Sequence, residues 1–227
     1  MEQSDVVTQP AVVEQAVVVG HGEATAPSGA VLANQEVRLT PLGEADADEL
    51  FVALNDERVW AAGFGGGPRG RPPTPRAMTA WIAALTGRPA QAAYAIRLAR
   101  TSDVGPAGRL VGTSSLGDVD VANERVHLGW TAYAPDVWAG VVNPATKLAL
   151  LTHAFDDCHM HRVKIQTDAI NVRSQAAIAR LGAVREGVLR EHVVRADGTR
   201  RDTVVFSILA SEWPTVRSGL EQRLEGI

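Results

Sequence analysis

The run DVWAGVVNPATK, Asp136 to Lys147, holds residue types that can seat a phosphate. Asn143 is a helix-capping residue, and Pro144 suits the first helical position. The unpaired amides and the dipole at a helix start attract anions. Phosphate-wrapping loops usually carry several glycines, whereas here only Gly140 precedes Val141 and Val142. From these residues alone, a phosphate seat and an empty capped helix both stay open. A second candidate is TDAINVRSQAAIARLGA, in which Asn171 caps a helix. Ser174, Ala177, Ile178 and Leu181 share one face of it, so a hydroxyl heads an otherwise apolar stripe. A serine at a helix start often only bonds the backbone. The run Cys158-His159-Met160-His161 superficially resembles a metal cluster, but no second ligand pair follows at matching spacing. The chain also lacks a Walker-type Gly-Lys-Ser/Thr and a G-x-S-x-G, which weighs against nucleotide hydrolysis and serine hydrolysis.

The elements that must position these residues follow from periodicity and turn chemistry. EVRLTPL alternates as a strand, and EADADELFVALN follows as an amphipathic helix. GFGGGPRGRPP is too rich in Gly and Pro for regular structure. Thr74 and Pro75 restart a helix. Three strands come next, in AAYAIRLA, RLVGTSSLGDVD and ERVHLGWTA. A helix from Asn143 to about Asp157 presents Leu148, Leu151 and Phe155 on one stripe, the face expected to pack on a sheet. RVKIQTD is a strand, and the Asn171 helix stops at Gly182. A hairpin turning at Asp197-Gly198 and a terminal helix close the chain. This order predicts a mixed, mostly antiparallel α/β sheet of about seven strands flanked by helices.

Composition narrows the setting. The chain has 227 residues, 45% of them hydrophobic and 21% charged, which is the balance of a globular domain. Residues 1–34 hold Glu2, Asp5, Glu14 and Glu23 with no Lys or Arg. They read as a flexible acidic tail, with the working domain over 35–227. The remainder balances 22 basic against 22 acidic residues, so no broad basic face for nucleic acid is expected. One cysteine suits a reducing compartment. No apolar run approaches the ~20 residues that span a bilayer. The N-terminus has no basic region typical of a secretory signal. A cytoplasmic protein without membrane partners is the expectation.

The two helix starts, taken in order with the strands before them, resemble the GNAT superfamily of acyl-CoA N-acyltransferases. The narrower resemblance is to the branch that includes the ribosomal-protein N-terminal acetyltransferases. It is carried by GTSSL, HLGWTAYAP, VNPATKLALLTHAF, HRVKIQTDAINVRSQAAIARLGAVREGVLR and DTVVFSIL, over about residues 36–213. The resemblance implies that the pyrophosphate of acetyl-CoA, or of another acyl-CoA, lies on Gly140, Val141, Val142 and Asn143. The first turn through Thr146 and Lys147 would complete that seat. The usual loop, Gln/Arg-x-x-Gly-x-Gly/Ala, is not kept here. HLGWTA would splay from RVKIQTD and admit the pantetheine arm, with an amide near Trp130 or Thr131 polarising the thioester. Asn171 would contact the pantetheine or phosphate region.

The same resemblance assigns acid and base. Many relatives place a tyrosine acid where this chain has Ile178, so Ser174 inherits the role. Where relatives carry a glutamate base this chain has His127, whose ring titrates near neutrality. Glu124 and Asp118 are the alternatives. Trp60, Phe64, Arg69 and Arg71, on the glycine-rich connection, would grip the acceptor. Arg190, Arg195 and Arg200 add positive charge nearby. The reaction implied is acetyl transfer to a primary amine by direct attack in a ternary complex, with no metal. The amine could belong to a protein N-terminus, a lysine or a small molecule. A non-catalytic acyl-CoA or protein-binding module, an enzyme using succinyl-CoA, and a homodimer all stay open.

Overall fold

A computed structural model describes residues 22–226. The first strand, β1 (Leu32–Ala33), pairs antiparallel with β2 (Val37–Pro41). Asn34 shapes the turn between them: its Oδ1 accepts from the amides of Glu36 and Val37, both at 3.1 Å, and its Nδ2 donates to the Ala145 carbonyl at 2.8 Å. Upstream, Ala24 is buried and the Thr25 amide donates to the Cys158 carbonyl. The boundary drawn at residue 34 therefore falls inside packed structure. Small and polar residues over 22–34 lie along the fold without building a core, so they leave no periodic signal. Residues 1–21 of the expected tail lie outside the described residues.

The remaining elements are α1 (Ala47–Leu54), α2 (Glu57–Ala61), α3 (Pro75–Thr86), β3 (Ala92–Leu98), β4 (Leu110–Asp120), β5 (Arg125–Tyr133), α4 (Val142–Thr152), β6 (Arg162–Asp168), α5 (Val172–Ala179), β7 (Val184–Val194), β8 (Arg200–Leu209) and α6 (Trp213–Glu225). Thr74 caps α3 as expected, its hydroxyl accepting from the Ala77 amide. The strands form one eight-stranded sheet in the order β1-β2-β3-β4-β5-β6-β8-β7. Every neighbouring pair is antiparallel except β5–β6, which is joined by the crossover through α4. The fold is thus the mixed α/β sheet anticipated, with the two-residue β1 as the extra strand.

Period-2 burial is plain in β2, where Val37 and Leu39 are fully buried around exposed Arg38. On α4, Leu150 and Leu151 are fully buried, each worth about 2 kcal/mol of transfer free energy. Phe155 is also buried, while Leu148 is half-buried at the margin. The helix ends in a π-helical turn, His153–Asp157. There Cys158 does not converge with His159 and His161. Its buried Sγ faces His153 Nε2 at 3.6 Å, and His153 Nδ1 bonds Asp157 at 2.8 Å. Among the described residues, no group of three or more His, Cys, Asp or Glu could hold a metal ion. None of the described helices is long and apolar enough to cross a membrane.

Candidate active site

The parallel β5–β6 pairing lasts for three residue pairs, Arg125–Arg162, Val126–Val163 and His127–Lys164. Beyond His127 the strands part, while β6 stays bonded to β8 as far as Asp168–Thr203. The result is a wedge whose walls present unpaired main-chain groups, with His127 at its apex.

Two bulges flank that apex. On the β4–β5 ladder, Ser115 faces Gly129 but Thr113 faces Ala132, so β5 carries an extra residue at Trp130–Thr131. Trp130 takes φ +49°, a left-handed conformation unusual for a bulky side chain. On the other side, Gly117 faces His127 and Asp120 faces Arg125, so β4 carries the extra residue, and Asp118 sits at φ +48°. Non-glycine residues in such strained positions gather at functional sites.

The second bulge aims Asp118 at His127. Asp118 Oδ2 lies 3.0 Å from His127 Nδ1 and 3.1 Å from Lys164 Nζ. Hydrogen bonding to His127 holds the Asp118 carboxyl well below the ordinary carboxylate range. His127 itself is 3% exposed, and its Nε2 is buried without a partner among the described residues. The ring packs on Trp130, centroids 4.7 Å apart, and a Cβ at Gly129 would collide with it at 2.6 Å. Burial lowers the imidazole pKa, and the bond to Asp118 offsets this only in part. The group is neutral at pH 7, with Asp118 fixing one nitrogen and leaving the other to accept a proton.

Helix α4 opens at Val142, one residue before the start expected from Asn143. Val141 is the cap, without a side-chain bond, and Pro144 is the third helical residue. Asn143 therefore does not cap, because the preceding turn already brings Val141 into helical φ/ψ. The first-turn amides, including those of Val142 and Asn143, have no intrahelical acceptor. The left-handed residue of the entry loop is Ala139 at φ +64°, not Gly140. A Cβ at Gly140 would meet nothing nearer than 3.5 Å. Thr146 and Lys147 are buried, so neither faces a phosphate at the helix tip. Lys147 turns inward, and its Nζ donates to Thr131 Oγ1 at 3.0 Å.

Asn171 caps α5 as expected, its Oδ1 accepting from the Ser174 amide at 2.9 Å. Ser174 is half-buried in the first turn, and Ile178 is buried in the core. Arg173 stacks on Trp138, 3.6 Å from guanidinium carbon to ring centroid, tying the α5 start to the loop before α4. That contact carried no sequence signal.

The acceptor-side assignments divide. Trp60 is fully buried, its indole N–H donating to the Leu54 carbonyl at 2.8 Å and its ring packed on Phe64 and Trp81. It supports the loop from beneath and cannot grip an acceptor. Arg71 is likewise committed, to the side chain and carbonyl of Asn55. Phe64 is half-buried, and Arg69 is exposed on the loop. The loop crosses to the last hairpin, where the Ala196 amide donates to the Gly66 carbonyl at 3.2 Å. Gly63, at φ +92°, lies so close to Asp168 that a Cβ would meet its carboxylate at 2.7 Å. Asp168 is buried and held bidentate by Arg195, both contacts at 2.9 Å. Glu124 is exposed in the turn before β5, where its carbonyl accepts from the His161 and Arg162 amides. It stands three residues, roughly 10 Å, before His127 at the closed end of the wedge, so it is not brought to the site.

The acetyltransferase (GNAT) domain model matches residues 36–184. The chain is 30% identical over 106 residues to a ribosomal N-acetyltransferase candidate, YdaF of Bacillus subtilis (strain 168). That match takes in 47% of this chain and spans 57% of YdaF, a little over half its length. Among solved structures, an acetyltransferase from T. thermophilus superposes with a TM-score of 0.75 at 34% identity, over 86% of this chain and 96% of that one. Mycobacterium smegmatis RimJ, solved in complex with CoA-disulfide, shares the fold with a TM-score of 0.70 at 20% identity, over 87% and 96% of the two chains. With its parted β5 and β6, open α4 start and this match over most of its length, the chain belongs to the GNAT family of acetyltransferases, enzymes that use acyl-CoA.

Proposed function

We propose that the protein moves acetyl from acetyl-CoA to the α-amine of a protein N-terminus, by direct attack in a ternary complex. The observation that carries this reading is His127, fixed by Asp118, with a free Nε2 between two strained bulges at the apex of the wedge. The amides of Val142 and Asn143 would hold the pyrophosphate and the edges of β5 and β6 the pantetheine arm. The neutral amine adds to the thioester carbon and forms the C–N bond. The oxyanion meets an amide at Trp130 or Thr131. His127 Nε2 takes the proton from the amine. The C–S bond breaks, and the thiolate gains its proton through the Ser174 hydroxyl from solvent.

Two further points favour this version. An imidazole with a lowered pKa is a weak base, suited to an amine that is already partly neutral. An α-amine of pKa about 8 meets that need near pH 7.5, whereas a lysine of pKa about 10.4 does not. The likeness to YdaF points the same way. Direct transfer is favoured because Cys158 is buried and its thiol is pushed up by that burial. Calorimetric titration with acetyl-CoA, succinyl-CoA and desulfo-CoA tests the reading. Micromolar binding of acetyl-CoA, followed by acetylation of an α-amine peptide in preference to its N-blocked lysine counterpart, is expected. No binding at millimolar concentration overturns it.

A further inference from the structure

Lysine is rare in this chain: of 22 Lys and Arg residues only Lys147 and Lys164 are lysines, and both lie beside the wedge. Lys164 meets a carboxylate. Lys147 is 6% exposed, and its recorded bond goes to a hydroxyl, that of Thr131. Thr131 Oγ1 lies 2.7 Å from Ser114 Oγ, and both hydroxyls reach the Gly129 carbonyl, at 3.4 and 3.5 Å. These bonds cross from α4 through β5 to β4 and converge on one peptide group. That peptide joins Gly129 to Trp130, the residue held at positive φ in the bulge. In a trans peptide the carbonyl and the following N–H point in opposite directions. Anchoring the Gly129 carbonyl on the Thr131 and Ser114 hydroxyls therefore sets the direction of the Trp130 N–H, away from them.

We infer that Lys147 is a positioning residue for acyl transfer: through Thr131 it fixes the Gly129–Trp130 peptide so that the Trp130 amide faces the thioester, and it is not a phosphate ligand. This rests on the acyl-transfer reading above. A lysine suits the place because it can shed its proton where a guanidinium cannot. Burial brings its pKa down to about 7. His127 is the titratable neighbour whose charge is coupled to it.

The test takes the full chain and compares Lys147→Met, Thr131→Val and Thr131→Ser with wild type. Acetyl-CoA affinity comes from calorimetry, kcat from acetylation of an α-amine peptide, and folding from the thermal midpoint. Lys147→Met and Thr131→Val are expected to lower kcat about tenfold or more with acetyl-CoA affinity held within about threefold. The double variant should be no worse than the weaker single, and Thr131→Ser should keep wild-type kcat. Loss of affinity with kcat retained in Lys147→Met makes it a phosphate ligand and overturns the inference. A lowered midpoint with unchanged kcat in both variants makes the bonds merely structural and also overturns it. Failure of the wild type to bind acetyl-CoA, measured first, instead brings down the acyl-transfer reading and this inference with it.

Discussion

His127 and Lys147 are both buried beside the same bulge of β5, yet the fold equips them differently. His127 has a carboxylate on one nitrogen and open space in its bonding at the other. Lys147 has hydroxyls and no acid among its recorded bonds. A buried imidazole with an anion beside it keeps a usable affinity for a proton. A buried amine without one loses much of it, and its directional bonds outlast its charge. The contrast separates a group that exchanges protons from one that holds a shape.

The largest expected effect falls on the first of the pair. His127→Gln should lower kcat by about 100-fold or more with acetyl-CoA affinity unchanged, as seen by turnover and calorimetry on the same preparation. Asp118→Asn should cost about tenfold in kcat. It should also move the acid limb of the pH–rate profile to lower pH, because the carboxylate is what raises the imidazole pKa against burial. Equal limbs in the two proteins would dissolve the dyad.

For Lys147 the contrast predicts a slope in stability. Its pKa falls from 10.5 to about 7 on folding, so between those values the unfolded chain binds a proton that the folded one does not. This contribution makes folding more favourable as pH rises through that window, by about 1.4 kcal/mol per unit at most, and the penalty is full below it. Urea unfolding from pH 7 to 9.5 should show wild type gaining on Lys147→Met. Parallel curves would contradict the buried, partnerless amine. Smallest of all, Gly140→Ala and Glu124→Gln should change kcat and affinity by less than about twofold. Gly140 has room for a methyl group, and Glu124 lies at the closed end of the wedge.

The sheet was legible because alternation and capping are local. Val37, Leu39 and the Thr74 cap read the same in the sequence and in the fold. The site was legible where it follows chain order: His127 sits at the apex of the wedge, and Asn171 caps α5. What escaped is set by bulges and by distance along the chain. Asp118 and Trp130 occupy left-handed positions that nothing in their residue types announces. Trp60 looked like an exposed loop aromatic, but its N–H found a carbonyl and its ring a pocket. Lys147 looked like part of a phosphate seat, yet its side chain runs back under the helix. Asp168 and Arg195 meet across 27 residues, a pairing no local pattern encodes.

The most direct test of the account is the pH dependence of kcat at saturating acetyl-CoA and α-amine peptide, in wild type and His127→Gln. The account predicts a wild-type acid limb centred below pH 6.5, on the lowered imidazole, and its disappearance in the variant. An acid limb that stays in place when His127 is gone would contradict it.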